Sequence, residues 1–529
     1  PPPPPPITNP APAFRLRDVT HTYPRGVRAL DSISLNIPAN RHTVIVGPSG
    51  SGKTTLLGCL SGRITPTAGS IERHDNIATI YQDLRLVPER TVLANVLDGA
   101  LGRLGLLRST LAIPAHERAA ARDIIQRVGL TQRASLPVSA LSGGEKQRVA
   151  IARALMQHPD VILADEPVCS LDNENAHAIM TLLGTVCAER GVTLVSVLHD
   201  EDLAARYADH RVCIHAGKIA GNIRRADPAH TQSISLPARS ACAACESEPT
   251  SRCLATCAAD AAPPIHPTRP AWMHPAAILV IGLIAIVAYA WSILSLGLHE
   301  NSGRSAIRGV GAFLTALIPT SWAQITAIPW TTLLASLVET LQMSLIGTTL
   351  GVAIAYPVSA MAAKNTGPRF LRTGVRQLLN AIRTVPAIIW ALLFVAAVGF
   401  GQLAGVLALT LYSIGYLTKF FYEAFENAPN GPQSALKEIG ASGMQRFFRA
   451  VAPASRPAIL AAALFMLEYN VRSASVLGIV DAGGIGYYIK FYLDMRQFPA
   501  ALACLILIFA VVVILDAASA RLRTRLVST

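Results

Sequence analysis

The stretch with the clearest chemical purpose is Gly47–Thr54, which reads Gly-Pro-Ser-Gly-Ser-Gly-Lys-Thr and completes a G-x-x-x-x-G-K-[ST] loop. It follows an apolar run, His42–Val46, and precedes an apolar helical stretch. Glycines let such a backbone curl until its N–H groups point at phosphate oxygens, and the start of the next helix adds a favourable dipole. Lys53 would neutralise β- and γ-phosphates and Thr54 would bind Mg²⁺, so the loop predicts a nucleoside triphosphate site.

Two adjacent carboxylates supply the groups that hydrolysis would need. Asp165 and Glu166 end an apolar run that begins at Val161. Asp165 is placed to hold Mg²⁺, and Glu166 to orient and deprotonate the attacking water. Capping of a strand by two acidic residues is the alternative interpretation, and the phosphate-binding loop upstream argues against it.

These side chains need a sheet whose strands end at one edge. From Phe14 to about Ile223, short β-branched runs alternate with helical stretches, which is typical of βαβ units and an α/β fold. The clearest strands are His42–Val46, Val161–Ala164 and Thr193–Val197.

The composition excludes a wholly soluble enzyme. The 529 residues contain 51% hydrophobic and only 15% charged residues, whereas an ordinary soluble domain has about 25% charged residues. The remainder of the chain accounts for the difference, because it holds long uncharged runs that predict an all-α polytopic membrane domain. About six spans are expected: Ala276–Leu298, Leu333–Ala362, Val385–Gly401, Leu403–Phe421, Pro457–Ile479 and Phe498–Leu515.

Basic residues set the expected orientation. They cluster after the second, fourth and sixth spans, at Lys364, Arg369, Arg372, Arg376 and Arg383, at Arg446, Arg449 and Arg456, and at Arg521, Arg523 and Arg525. We expect the protein to lie in the inner (plasma) membrane. By the positive-inside rule, these loops are cytoplasmic, and the N-terminal domain and both termini lie on the same side. The net charge of +13 is therefore attributed to topology, and no nucleic-acid partner is expected.

Further motifs resemble the ATP-binding cassette (ABC) family. Leu141–Arg148 reads Leu-Ser-Gly-Gly-Glu-Lys-Gln-Arg and is similar to the family signature. Gln82 is similar to the Q-loop glutamine, Asp172 to the D-loop aspartate and His199 to the switch histidine, in the family's order along the chain.

The resemblance implies ATP and Mg²⁺ as cofactors and a role for each matching residue. Tyr23 would stack on adenine, and Glu166, His199, Gln82 and Asp172 would form the catalytic set, with Thr54, Gln82 and Asp165 on Mg²⁺. The phosphates would be held by Gly47, Pro48, Ser49, Gly50, Ser51, Gly52, Lys53, Thr54 and Thr55, and by Ser142, Gly143, Gly144 and Glu145 of a second cassette. Two copies would thus face each other head to tail as a homodimer.

The loop Ser434–Pro453 resembles the coupling motif of importer permeases, with Ala435, Gly440 and Pro453 at the family's separation. Ser434 replaces the usual Glu, and Ala450 and Ala452 replace the usual Ile and Leu. The resemblance implies a coupling helix near 434–453 that docks on the cassette beside Gln82.

Stretches in both halves resemble phosphonate-type importers, among them Arg383–Trp390, Glu468–Val480 and Leu86–Leu97. The resemblance implies ATP-driven import of phosphonate, phosphite, hypophosphite or phosphate, with a separate periplasmic or lipid-anchored binding protein. The family usually keeps the ATPase and permease in separate chains, whereas here they are fused.

Ionisable residues inside spans are costly and face a cavity or a partner. Arg472 lies four residues after Glu468, so an ion pair along one helix face and transient contact with an anionic substrate are both open. Asn470, Ser473 and Ser475 could add hydrogen bonds to that substrate path.

Four cysteines, Cys242, Cys245, Cys253 and Cys257, crowd one linker. A cytoplasmic location disfavours disulfides. An iron–sulfur cluster, Zn²⁺ and no metal at all remain as interpretations.

The sequence therefore predicts an α/β P-loop domain fused to an all-α membrane domain. Its expected parts are a disordered Pro-rich tail (1–12), the ATPase (13–225), the cysteine-bearing linker (226–274) and the permease (275–529). Two other functions remain open, an ABC exporter and an ATP-dependent membrane scaffold or sensor that uses the cysteines.

Overall fold

The computed structural model describes residues 12–24, 26–73, 76–110, 113–169, 171–224, 275–295, 302–365 and 369–528. The chain divides into two compact units, the first formed by Pro1–Asp227, Trp330–Phe491 and Cys504–Thr529, the second by Pro228–Pro329 and Tyr492–Ala503. The Pro-rich tail up to residue 11 and the linker with its four cysteines lie outside the described residues.

Nine strands form two sheets in the N-terminal part of the first unit. They are β1 (Phe14–Thr22), β2 (Arg28–Ile37), β3 (His42–Val46), β4 (Ala68–Arg73), β5 (Ile77–Ile80), β6 (Val161–Asp165), β7 (Thr193–Val197), β8 (His210–His215) and β9 (Lys218–Arg224). The first sheet has the order β2-β1-β4, and the second β5-β6-β7-β3-β8-β9. The three strands predicted from apolar runs are all present, and β3, β6 and β7 are buried along their whole length.

The described residues of the same domain form seven α-helices: α1 (Lys53–Leu60), α2 (Val92–Leu97), α3 (Leu106–Thr110), α4 (Ala115–Arg127), α5 (Gly143–Leu155), α6 (Asn173–Arg190) and α7 (Glu201–Tyr207). Side-chain caps begin several of them, with Ser142 before α5, Asp172 before α6 and Asp200 before α7. Such caps satisfy main-chain N–H groups that have no partner within the helix. The predicted α/β P-loop fold is confirmed.

The described residues of the C-terminal half form helices joined by loops, with no strand among them. Its helices are α8 (Pro275–Ser295), α9 (Ser302–Leu317), α10 (Trp322–Thr326), α11 (Trp330–Ala362), α12 (Arg369–Thr384), α13 (Ala387–Val398), α14 (Gln402–Glu426), α15 (Asn430–Glu438), α16 (Gly443–Arg446), α17 (Ala452–Leu477), α18 (Ile485–Asp494) and α19 (Phe498–Ser528). A π-helical turn, Phe447–Val451, joins α16 to α17.

Four helical segments among the described residues are long and apolar enough to cross a membrane, Trp330–Ala362, Gln402–Glu426, Gly443–Val480 and Phe498–Thr524. The second, fourth, fifth and sixth predicted spans fall on them. The first predicted span coincides with α8, a 21-residue helix without charged residues. The count of six spans stays a prediction.

The third predicted span, Val385–Gly401, falls on α13, the second helix of a bent pair. The chain bends by 88° between α12 and α13, and Pro386 lies at the start of α13. A proline has no N–H to donate and disfavours helix in the residue before it, so the helix ends there. At 1.5 Å per residue, the 12 residues of α13 reach about 18 Å, short of the roughly 30 Å hydrocarbon core. This bent pair would make a fifth span only if its two helices are taken together.

The helices α11, α14 and α17 pack closely because small residues line their contact. A Cβ added at Gly347 would lie 2.8 Å from Leu409 Cβ, and one at Gly351 would lie 2.6 Å from Ser413 Cβ. Side chains at these two positions, one turn apart, would push α14 away. This small-residue spacing is typical of helix contacts in membranes.

Candidate active site

The parallel sheet brings the residues predicted to act on ATP to one edge. The strands β3 and β7 are parallel neighbours, with His42 opposite Leu194. The strand β6 lies between β7 and β5, with Asp165 opposite Val197 and Ala164 opposite Ile80. The carboxyl ends of these strands are therefore adjacent, and each leads directly into a predicted site segment. Open α/β sheets bind ligands at this edge.

The phosphate-binding loop has the backbone that its glycines predict. Gly52 has φ +101°, and a Cβ there would collide with the Ala29 carbonyl oxygen, so only glycine fits. Pro48, Ser49 and Gly50 are exposed, whereas Ser51, Lys53 and Thr55 are buried. Lys53 Nζ donates to the carbonyl oxygens of Gly47 and Pro48, each at 2.8 Å, so its ammonium lies inside the curl of the loop.

Burial changes the ionisation of the charged groups beside this loop. It lowers the pKa of Lys53, while Glu166 and Asp165 act in the opposite direction. It raises the pKa of Asp165, and the neighbouring Glu166 raises it further. A nearby cation would favour the charged carboxylate.

The residues present fit a Mg²⁺ ion. Within the described part of the chain, Asp165 Oδ1 and Ser51 Oγ are buried and have no hydrogen-bond partner. Thr54, the first hydroxyl after Lys53, is exposed at the start of α1. Mg²⁺ prefers such oxygen ligands and completes its octahedron with waters and phosphate oxygens.

Glu166 is held between two other predicted catalytic residues. His199 Nε2 lies 2.5 Å from its Oε1, and Gln82 Nε2 donates to its Oε2 at 3.1 Å. Glu166 also has φ +50°, a left-handed backbone that costs a non-glycine residue about 1–3 kcal/mol. The structure thus brings Gln82, Glu166 and His199 together, with the base candidate held on both of its oxygens.

Cys169 is a neighbour that the sequence reasoning missed. Its Sγ lies 3.9 Å from Gln82 Nε2, and it shares a cleft with Glu166 and His199. Its position three residues after Glu166 is the feature of the sequence that could have placed it near the site.

Tyr23 lies beside the loop, as adenine stacking would require. Its hydroxyl is 3.2 Å from Thr55 Oγ1, and its ring meets the His21 ring edge-on with centroids 4.8 Å apart. The side chain is 40% exposed.

The signature residues lie in a cleft other than the one that Glu166 and His199 line. Ser142 and Glu145 form a reciprocal capping box at the start of α5, with Ser142 N and Oγ each 2.9 Å from Glu145 Oε2. These bonds lower the pKa of Glu145. Gly143 and Gly144 line the same cleft of about 520 Å³, together with Asp172, and no residue of the fully described Gly47–Thr54 loop lines it.

Asp172, predicted as catalytic, caps α6 in this chain. Its Oδ1 accepts from Asn175 Nδ2 at 2.6 Å, and its Oδ2 accepts from Asn175 N at 3.4 Å. Its catalytic role stays a prediction.

The segment predicted as a coupling helix lies against the cassette within the first unit. Tyr81, which directly precedes Gln82, donates its hydroxyl proton to Glu438 Oε2. Arg63 and Arg85 each approach the Glu438 carboxylate to 3.8 Å and lie over the Tyr81 ring. Burial, and secondarily Glu438, raise the pKa of Tyr81, so the phenol stays a donor.

Gln445 makes a second polar contact between the same two parts. Its Nε2 donates to Leu104 O at 2.8 Å, Ser109 Oγ at 2.9 Å and Leu101 O at 3.5 Å. Its Oε1 accepts from Ser442 N at 2.7 Å and completes a capping box. Around it, an apolar cluster joins Val87 and Leu101 of the cassette to Leu436, Ala441 and Ala450.

The predicted substrate-path residues serve helix contacts. Arg472 forms an ion pair with Glu468, one of the two interpretations that the sequence left open, and Ser475 Oγ donates to Arg472 O at 2.6 Å. Asn470 is fully buried, and its Nδ2 donates to Thr348 Oγ1 and Ser413 Oγ, each at 2.8 Å. Ser473 is partly exposed. Contact of these four with substrate stays a prediction.

Two family models match the chain. The one described as ABC transporter matches residues 30–169, and the one described as binding-protein-dependent transport system inner membrane component matches residues 355–528.

Curated relatives match the two halves separately. The phosphonates import ATP-binding protein PhnC 3 of Nostoc sp. is 41% identical over 40% of this chain and 87% of its own length. The phosphate-import ATP-binding protein PhnC of Mycolicibacterium smegmatis is 43% identical over 38% and 83%. The phosphite transport system permease protein PtxC of Stutzerimonas stutzeri is 45% identical over 35% and 68%.

Proposed function

The chain belongs to the ATP-binding cassette transporters and couples ATP hydrolysis to transport, and from this premise we propose that it imports phosphonate or a related small phosphorus oxyanion. The observation that carries the proposal is the agreement of two separate comparisons. The ATPase half is similar to phosphonate and phosphate import ATPases, and the permease half is similar to a phosphite permease.

The working unit is two copies of the chain. No residue of the Gly47–Thr54 loop lines the cleft that holds Ser142, Gly143 and Gly144 of the same copy, which supports two composite sites that each combine the loop of one copy with the signature of the other. The main-chain N–H groups at the start of α5 point toward the γ-phosphate in this arrangement.

Each composite site hydrolyses ATP with residues of the sheet edge. Asp165, Thr54 and Gln82 would hold Mg²⁺, which when bound neutralises charge on the β- and γ-phosphate oxygens. Lys53 binds the phosphates, Glu166 takes the proton of the attacking water at a carboxylate oxygen, and His199 fixes that carboxylate.

The proposed setting is the inner membrane, with the cassette, the basic loops and both termini on the cytoplasmic side. Contact of the cassette with Glu438 and Gln445 supports this side for the loop that carries them. A binding protein outside the membrane delivers the substrate.

The test is binding-protein dependence in vesicles. The purified chain, reconstituted with its binding protein, should show faster ATP hydrolysis and ATP-dependent uptake when methylphosphonate, phosphite, hypophosphite or phosphate is supplied. The oxyanion that stimulates both activities identifies the substrate. Hydrolysis that responds to none of these with any binding protein would contradict import and favour an exporter or a sensor.

The linker cysteines remain a separate hypothesis. Among the residues that the structure describes, no group of three or more His, Cys, Asp or Glu side chains could hold a metal ion, and Cys242, Cys245, Cys253 and Cys257 lie outside them. Iron, sulfide and zinc analysis of anaerobically purified protein, with its visible spectrum, distinguishes an iron–sulfur cluster from Zn²⁺. Absence of all three elements would contradict both.

A further inference from the structure

The turn that carries Gln82 has a strained backbone. We use "Gln82 turn" for residues Tyr81–Arg85. Leu84 has φ +55° and Arg85 has φ +48°, so two consecutive non-glycine residues are left-handed. This conformation is uncommon for any side chain and persists only where surrounding contacts hold it.

A buried arginine on another element supplies those contacts. Arg153, near the end of α5, donates from Nη2 to the Leu84 carbonyl oxygen and from Nη1 to the Arg85 carbonyl oxygen, each at 2.7 Å. Its side chain is 4% exposed, and in the described part of the chain it has no carboxylate within ion-pair distance. A guanidinium is costly to bury without a counter-ion, and the two short bonds to carbonyls offset part of that cost.

The Gln82 turn contacts the candidate active site on one side and the coupling segment on the other. On one side Gln82 donates to Glu166, the proposed base. On the other side Arg85 stacks on Tyr81, with its guanidinium 4.0 Å from the ring centroid, and approaches Glu438 of α15 to 3.8 Å. A change in the Leu84–Arg85 backbone therefore alters both contacts at once.

The same arginine is rigidly connected to the signature. Ser142 caps the start of α5, and Arg153 lies ten residues after Gly143 on one uninterrupted helix, about 15 Å along its axis. A displacement of the signature end therefore moves the Arg153 end with it.

We infer that Arg153 is a positioning residue for ATP hydrolysis: by holding the carbonyls of Leu84 and Arg85 it keeps Gln82 directed at Glu166 and Arg85 directed at Glu438. The inference deepens the proposed function and rests on its assignment of Glu166 as the base. Arg153 touches neither nucleotide nor water, and acts through the Gln82 turn.

The first test separates binding from turnover in the full-length chain. Arg153→Met should lower kcat for ATP hydrolysis about 10- to 100-fold with KM for MgATP unchanged within about twofold, because misplacement of a catalytic group affects the transition state more than binding. Arg153→Lys, which keeps the charge but offers a single donor nitrogen in place of two, should recover part of kcat. A parallel loss of ATP binding in both variants would indicate a folding role and overturn the inference.

The second test addresses the strained backbone directly. Leu84→Gly and Leu84→Ala both remove the side chain, but only glycine adopts a positive φ without strain. The loss of kcat caused by Arg153→Met should therefore be at least about threefold smaller with Leu84→Gly than with Leu84→Ala. Equal losses would show that Arg153 does not act by holding this backbone.

A control substitution tests whether a glycine at any strained position would reduce the Arg153→Met defect. Asn40→Gly relieves the positive φ of an exposed residue elsewhere, in the turn before β3, and should leave the Arg153→Met defect unchanged. The outcome is independent of the transported substrate, because basal ATP hydrolysis needs neither binding protein nor oxyanion. If Glu166→Gln retained full hydrolysis, the proposed base would fail first, which distinguishes the two failures.

Discussion

Gln445→Glu should undock the coupling segment from the cassette while leaving its local fold intact. The carboxylate can still accept from Ser442 N, so the capping box is preserved. It has no N–H to donate, and it would face the carbonyl oxygens of Leu101 and Leu104 and the hydroxyl of Ser109. The Ser109 hydroxyl donates its proton to Leu106 O at 2.8 Å, so turning it toward the new carboxylate would break that bond.

The size of the effect follows from those contacts. Two good hydrogen bonds and one long one are worth about 2–3 kcal/mol in total, and leaving buried acceptors opposite a charge adds about 1–2 kcal/mol. A loss of about 3–5 kcal/mol corresponds to roughly a 100- to 4000-fold increase in local opening, because about 1.4 kcal/mol is a factor of ten.

Hydrogen exchange of the reconstituted protein measures that opening. Peptides that cover Leu101–Thr110 should exchange about 100-fold faster or more in Gln445→Glu. Stimulation of ATP hydrolysis by loaded binding protein should fall, while basal hydrolysis persists.

The matched control is Ser442→Ala, which removes the hydroxyl cap but keeps all three Gln445 donations. It should cost about 1 kcal/mol, or less than tenfold in exchange. A change below about threefold in Gln445→Glu, or equal changes in both variants, would refute the assignment of docking energy to Gln445.

Two predictions concern the sheet edge. Glu166→Gln should retain ATP binding and abolish steady-state hydrolysis, because the amide cannot take a proton, and hydrolysis at the wild-type rate would contradict the base assignment. The raised pKa of Asp165 makes protons compete with Mg²⁺ at a higher pH than for an ordinary aspartate, so the half-saturating Mg²⁺ concentration for ATP binding should rise from pH 7 to pH 5. Asp165→Asn should bind Mg²⁺ weakly and with little pH dependence, and an equal pH dependence in both proteins would exclude Asp165 as the titrating ligand.

The local sequence alone determined the ATP site and the fold class. The Gly47–Thr54 loop and the Asp165–Glu166 pair are patterns whose chemistry depends on a strand, a turn and a helix that are adjacent in the chain. The four long apolar helices of the membrane half could also be predicted from the sequence, since a span depends on the composition of about 20 neighbouring residues. The bend at Pro386 also has a local cause, the proline itself, although the sequence analysis predicted no bend there.

Tertiary structure decided every contact between distant segments. The hydrogen bond between Gln445 and Ser109 joins residues 336 positions apart, and the one between Tyr81 and Glu438 joins residues 357 positions apart. Neither pair can therefore be predicted from a local sequence pattern. Arg153 carries no signal in its own helix, because its role depends on the backbone conformation of Leu84 and Arg85. Local patterns are set by short-range backbone geometry and hydropathy, whereas these contacts arise only when separate elements pack and bury polar groups that must then be satisfied.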